Sequence, residues 1–320
     1  MSSGEGRKDA ELRRELERLL GAYFGEMPEI ARISRRPYEY RTTFALEEIS
    51  VDLGNGERLQ LILKDLSRKK LDKAARAAKP RFLYEPLREI EAYEAIAGYG
   101  VGPIYYGAAV VPDRDRYWLF LEKVPGVELW QVGERSVWRK TARWLARFHE
   151  RLSDLRPSSV LVYDGDLYRT WLARACEFVR SPELDRIAAR YDEVVDRLVQ
   201  LPAGFLHGEF YPSNVLVSGS DGNIGISAVD WEMAAVGPGL LDLAALACGW
   251  EEEDVVGLQA AYRSALADPL PEDEFEHAFD CARLHLAIQW LGWAREWTPP
   301  DEHAQSWLGE AVRMSSKLGL

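Results

Sequence analysis

Between residues 205 and 232 the chain reads FLHGEFYPSNVLV, a short turn, then ISAVDWE. A carboxylate, Glu209, stands five residues before an amide, Asn214, and a second carboxylate, Asp230, closes the next apolar run. Phosphoryl transfer asks for such a set. The transferred group makes little covalent demand on a protein, so the chain must orient an attacking hydroxyl and supply oxygen ligands for Mg²⁺ on a nucleotide. Glu209 has the chemistry for the first task, and Asn214 and Asp230 for the second.

The spacing from Glu209 to Asn214 equals that between Asp and Asn in the protein-kinase catalytic loop, and Asp230 falls where a metal-binding DFG aspartate would. His207, Gly208, Asn214 and Asp230, followed by Gly237-Pro238-Gly239 and Leu240-Leu241-Asp242-Leu243-Ala244, resemble the aminoglycoside phosphotransferase and choline kinase-like family. That family carries His-Gly-Asp, four residues, Asn, and then a strand ending in Asp. Glu209 departs from it, placing the carboxylate one methylene further from the backbone.

The resemblance implies an α+β, two-lobed protein-kinase-like fold. Residues 1–122 would form a small nucleotide-binding lobe with an antiparallel sheet, and residues 123–320 a larger, mainly helical lobe for catalysis and acceptor binding. It implies a phosphotransferase with ATP or GTP as donor, Mg²⁺ as cofactor and an alcohol group on a small molecule as acceptor. Glu209 would align or deprotonate that hydroxyl, and His207 would brace the loop. A catalytically silent nucleotide-binding protein and nucleotidyl transfer on the same fold stay open.

Other elements must position these groups. An opening helix is expected at about residues 8–24. Strands follow at residues 38–44, 48–53 and 58–64, with Gly54-Asn55-Gly56 as the hairpin turn between the last two. The last strand, LQLILKDL, puts Lys64 in an apolar run; in the resemblance that lysine grips the donor's α- and β-phosphates. Residues 84–97 carry apolar positions at helical spacing, and Glu85, Glu89, Glu91 and Glu94 compete to partner the lysine. The family pattern favours Glu89. Arg88 beside it reads as a surface cation.

No glycine lies between Ser34 and Ile49, so a glycine-rich phosphate loop is absent and an ordinary protein kinase is disfavoured. In the resemblance a polar turn takes its place, so Tyr40, Arg41, Thr42 and Thr43 would present backbone N–H groups or hydroxyls to phosphate; an ordinary β-turn with exposed hydroxyls is the alternative. The run YWLFLEKVPGV at 117–127 reads as a buried strand with a Pro-Gly break, and a nucleotide base would bond backbone groups from Glu122 to Val124. Residues 136–153 form an apolar-striped helix whose His149 reads as structural. Ala278, Phe279, Ala282, Leu286, Trp290, Trp293 and Trp297 make a second stripe, expected to be mostly core.

With 320 residues the chain is long enough for two cores. Cys176, Cys248 and Cys281 are odd in number and without metal-ligand spacing, which argues against a disulfide framework or a zinc site. The charged N-terminus lacks an apolar core, and no run approaches the roughly 18 apolar residues of a membrane span. A cytoplasmic protein is expected. Residues 201–280 hold fifteen acids and one base, Arg263, which disfavours nucleic acid and suits a cationic or sugar-like acceptor. Alternatively, those acids are solvated helix faces. Oligomeric state is not legible.

Overall fold

The computed structural model describes residues 3–38, 43–44, 46–71, 76, 78–219, 224–293, 295 and 305–320, with side chains from residue 9 onward. Two compact units emerge: Met1–Ala77 with Tyr93–Pro125, and Ala78–Ala92 with Gly126–Leu320. The α+β architecture expected from the sequence is the one found, an N-terminal antiparallel sheet and a helix-rich C-terminal region.

In the first unit, helix α1 (Ser3–Phe24) precedes strands β1 (Ile30–Pro37), β2 (Leu46–Leu53), β3 (Arg58–Asp65), β4 (Tyr105–Val111) and β5 (Arg116–Glu122). The strands form one antiparallel sheet in the order β1-β2-β3-β5-β4. Leu12, Leu16, Leu19 and Leu20 recur at helical spacing on α1 and pack with Ile49, Val51, Leu61, Leu63 and Phe120 of the sheet. Each such leucine contributes roughly 1.5–3 kcal/mol on burial. Strand alternation then puts Lys64 on the face opposite Leu61 and Leu63. There it is 5% exposed, its Nζ 5.6 Å from the Phe44 ring centroid.

The hairpin turn closes as the sequence predicts, with Gly56 at φ 89° donating its N–H to the Leu53 carbonyl. The expected strand at residues 38–44 lies largely outside the described residues. The chain has a further strand, β1 at Ile30–Pro37, that the sequence reading did not name. Its side chains are mostly exposed, and cross-strand charge pairs, Arg35 with Glu47 and Arg36 with Glu48, join it to β2. No apolar alternation marks an edge strand of that kind.

The second unit contains the start of helix α2 (Pro86–Ile96), then β6 (Val127–Glu128), α3 (Arg135–Arg151), β7 (Leu161–Val162), α4 (Gly165–Phe178), α5 (Pro182–Val199) and β8 (Ala203–Leu206). After these come β9 (Val215–Ser218), β10 (Gly225–Ala228), β11 (Ala235–Pro238), α6 (Leu240–Leu246), α7 (Glu252–Arg263), α8 (Glu272–Leu291) and α9 (Trp307–Leu318). Two small sheets, β10-β9-β6 and β7-β11-β8, are embedded among the helices. Helix α3 buries Val137, Thr141, Ala142, Leu145, Ala146, Phe148 and His149 along one stripe.

The tryptophan stripe is shorter than the sequence suggests. Helix α8 stops at Leu291 with Gly292 as its cap, so Trp293 lies beyond it, and Trp297 is outside the described residues. The acid clusters have a local explanation. Glu252, Glu253 and Asp254 occupy the first turn of α7, and Glu272, Asp273 and Glu274 that of α8, where the helix dipole favours negative charge. Glu252 also accepts from Arg283, Arg313 and Lys317, and these cations hold its carboxyl at about 2 against the raising effect of burial. Much of the local acid excess is therefore neutralised within the fold. Among the described residues no helix is long and apolar enough to cross a membrane.

Candidate active site

Strand β8 delivers the chain to His207-Gly208-Glu209 at the end of a buried apolar run, and the 3-10 turn Pro212–Asn214 leads into β9. The β9–β10 hairpin then brings Asp230 back beside Asn214. Val215 pairs with Ala228, and Val229 donates its N–H to the Asn214 carbonyl at 2.9 Å. Glu209, Asn214 and Asp230 thus converge on one loop cluster within the second unit.

The main chain of Glu209 is pinned at both ends. Its N–H donates to His207 Nδ1 at 3.3 Å, and its carbonyl accepts from Asn214 Nδ2 at 2.9 Å and from the Tyr211 N–H at 2.7 Å. Since Asn214 spends its amide nitrogen on that bond, its Oδ1 is the atom left to meet a cation. His207 is fully buried, which lowers its pKa, with Asp242 among the opposing charges. A neutral ring fits the bonds it makes: Nε2–H donates to the Val229 carbonyl at 2.9 Å while Nδ1 accepts from Glu209. His207 therefore ties the residue before Asp230 to the backbone of Glu209.

Asp242 organises the same loop from below. One percent exposed, it accepts from the His207 N–H and the Gly208 N–H, each at 2.8 Å, and from His149 Nε2 at 3.0 Å. The other ring nitrogen of His149 bonds the Tyr262 hydroxyl at 2.8 Å. A buried carboxylate with three donors is well satisfied, and here it fixes the direction in which the loop leaves β8. The structural reading of His149 agrees with this geometry. Asp242 carried a signal that its motif match did not explain: an acid inside the otherwise apolar helix LLDLAAL needs buried partners.

Two backbone conformations are specific to the site. Asp230 has φ 64°, a left-handed geometry that Asp tolerates better than most residues. Gly208 has φ 85°, and a Cβ built there would lie 1.9 Å from the Met233 carbonyl oxygen. Gly208→Ala should accordingly cost about 3 kcal/mol or more, combining left-handed strain with forced overlap against backbone. Chemical denaturation should show a lower midpoint, and an unchanged midpoint would remove the close approach of these two segments.

The remaining sequence candidates fall as follows. Lys64 lies in the first unit, and Glu89 in the part of α2 that belongs to the second. Of the four competing glutamates, Glu89 is the buried one, at 2%. Glu85 accepts the Leu87 N–H at the helix start, Glu91 is bound by Ser158 and Ser159, and Glu94 is exposed. Glu122 ends β5, where its N–H donates to the Ile104 carbonyl; the Lys123 N–H is likewise spent on Gln60. Thr43 is described, whereas Tyr40, Arg41 and Thr42 lie outside the described residues.

Arg88 corrects the sequence reading. It is 3% exposed and not a surface cation: Nη1 donates to the Leu83 and Glu232 carbonyls at 2.8 and 3.1 Å, and Nε to Ser159 at 3.1 Å. Its position four residues before buried Ala92 and eight before buried Ile96 was the available signal. Glu232 is also paired with Lys79 at 2.9 Å, both side chains being under a tenth exposed.

The donor set suits Mg²⁺. Asn214 and Asp230 offer hard oxygen ligands, and among the described residues no group of three or more His, Cys, Asp or Glu could hold a metal alone. Two protein oxygens, completed by phosphate and water, is the arrangement that a small and reluctantly dehydrated cation favours.

The sequence matches the phosphotransferase enzyme family over residues 51–278. A search of curated proteins returned no match. Among solved structures, a microcompartment-associated aminopropanol kinase is similar at a TM-score of 0.63 and 18% identity, over 90% of this chain and 94% of that one. A choline/ethanolamine kinase family protein from Mesorhizobium loti gives a TM-score of 0.57 at 14% identity, over 90% and 88%. The GDP complex of wild-type aminoglycoside 2'-phosphotransferase-IIIa gives 0.55 at 14%, over 93% and 95%. At these identities the likeness is one of fold.

Proposed function

The chain belongs to the phosphotransferase enzyme family, and from that premise we propose that it is a small-molecule kinase, passing the γ-phosphoryl group of ATP or GTP to a hydroxyl of a small cationic or sugar-like acceptor. The observation that carries this reading is the convergence of Glu209, Asn214 and Asp230 on one loop cluster whose backbone is held by His207 and Asp242. Glu209 aligns the acceptor hydroxyl and takes its proton. Asn214 Oδ1 and the Asp230 carboxylate hold Mg²⁺, which when bound neutralises charge on the donor phosphates. Lys64 contacts those phosphates and Glu89 keeps the lysine oriented, roles supported by the burial of these two ionisable side chains. The nucleotide base bonds backbone at Glu122 to Val124, beside the Glu122 and Lys123 N–H groups that donate to Ile104 and Gln60. Thr42 and Thr43 cover the phosphates.

The replacement of the family Asp by Glu209 is the observation that favours a second reading, a nucleotide-binding protein without turnover. A thermal-shift panel with ATP and GTP, each with and without Mg²⁺, tests the donor side common to both. Ligand at about 100 times Kd adds about 2.7 kcal/mol to stability, a readable shift. Lys64→Met keeps the apolar stem but removes the charge, so the nucleotide shift should shrink while acceptor affinity is retained. A full nucleotide shift in Lys64→Met would remove Lys64 from the donor site.

A further inference from the structure

Asp230 sits in an uncommon backbone geometry, and its two flanks are held by different parts of the chain. Such a residue persists only where its surroundings overdetermine it. Upstream, Val229 donates to Asn214 and accepts from His207. Downstream, Trp231 is fully buried with Nε1 on the Ala228 carbonyl, and Glu232 is held twice. Its carboxylate meets Lys79, and its carbonyl meets Arg88.

Arg88 does more than end on Glu232. Its three acceptors are main-chain carbonyls from three separate segments, at residues 83, 159 and 232. A guanidinium presents its donors in a rigid plane and can fix three such segments relative to one another, whereas an ammonium is a point donor on a flexible stem. Burial lowers the Arg88 pKa while the charges of Glu85, Glu232, Tyr163 and Glu209 oppose it, so this cation also lies within electrostatic reach of the candidate base.

We propose that Arg88 is a positioning residue for divalent-cation binding: by holding the Glu232 carbonyl it keeps Asp230 in its left-handed conformation, so the first turns of α2 help set the metal affinity of the site. The proposal rests on the reading of Asp230 as a metal ligand. Arg88 itself acts through the backbone of Glu232.

The test is a Mn²⁺ titration followed by electron paramagnetic resonance, with a non-hydrolysable ATP analogue present, on the parent protein, Arg88→Lys, Lys79→Met and Asp230→Asn. Support around a metal ligand is typically worth 10–100-fold in affinity, so Arg88→Lys should weaken Mn²⁺ binding by about tenfold. The Mg²⁺ concentration for half-maximal turnover should rise in step, while analogue binding without metal stays nearly unchanged. Lys79→Met, which releases a second hold on Glu232, should move the same way and covers the case in which Arg88→Lys folds poorly. If Asp230→Asn loses the Mn²⁺ site but both tether variants keep parental affinity, Arg88 is merely structural and the proposal is overturned, whatever happens to thermal stability. If Asp230→Asn binds Mn²⁺ like the parent, the assignment of Asp230 fails first and the proposal with it.

Discussion

Asp230→Asn is expected to abolish Mg²⁺-dependent turnover, with a loss of roughly 10²–10³-fold or more, the scale on which removing a principal electrostatic stabiliser lowers rate. Asparagine is the informative replacement. It tolerates the left-handed backbone at φ 64° as aspartate does, so it removes the charge without disturbing the turn. Asp230→Ala would confound the two effects, because alanine at that φ adds about 1 kcal/mol or more of backbone strain. Steady-state kinetics at stepped Mg²⁺, with circular dichroism to confirm folding, makes the measurement. Near-parental activity of Asp230→Asn at limiting Mg²⁺ would remove Asp230 from the metal site.

The second large effect is expected at Glu209. In a loose phosphoryl-transfer transition state the acceptor keeps its proton until late, so the carboxylate acts mainly by placing the hydroxyl. Glu209→Gln keeps size and hydrogen bonding but cannot accept the proton, and kcat should fall by roughly 10²-fold or more with nucleotide affinity nearly unchanged. Glu209→Asp should retain substantial activity. The backbone of residue 209 is pinned by His207, Tyr211 and Asn214, so the shorter side chain draws the carboxylate back by about one bond, roughly 1.5 Å, along a fixed direction. A small shift of the acceptor absorbs that. If Glu209→Asp instead switches on activity in a parent that binds nucleotide and phosphorylates nothing, the reading without turnover prevails.

What was legible in the sequence was the chemistry carried by short spacings. The convergence of Glu209, Asn214 and Asp230 on one loop cluster could be expected because each is a polar group placed by local turns between apolar runs. Lys64 stood out as a charge inside an apolar strand, and it is buried there. Arg88 was misjudged because its meaning is tertiary: its helical spacing to Ala92 and Ile96 could signal burial, but two of its acceptors lie 71 and 144 residues away and are not announced nearby in the chain. Strand β1 went unnamed for a related reason, since arginine–glutamate pairs across to β2 rather than an apolar alternation mark it. The acidic stretch was half legible. Its charge count was plain, but the first-turn positions on α7 and α8 and the three cations gathered on Glu252 appear only when the helices are assembled.

The central claim is phosphoryl transfer to a small-molecule hydroxyl, and mass spectrometry of the products tests it most directly. The protein would be incubated with Mg²⁺, ATP or GTP, and a pooled mixture of amino sugars, aminoglycosides, choline-like amines, amino-acid derivatives and sugars. The account predicts an acceptor heavier by one phosphoryl group, nucleoside diphosphate in equal amount, and loss of both products in Asp230→Asn. An acceptor heavier by a whole nucleotide, or bound nucleotide with no acceptor modified across the panel, would contradict it.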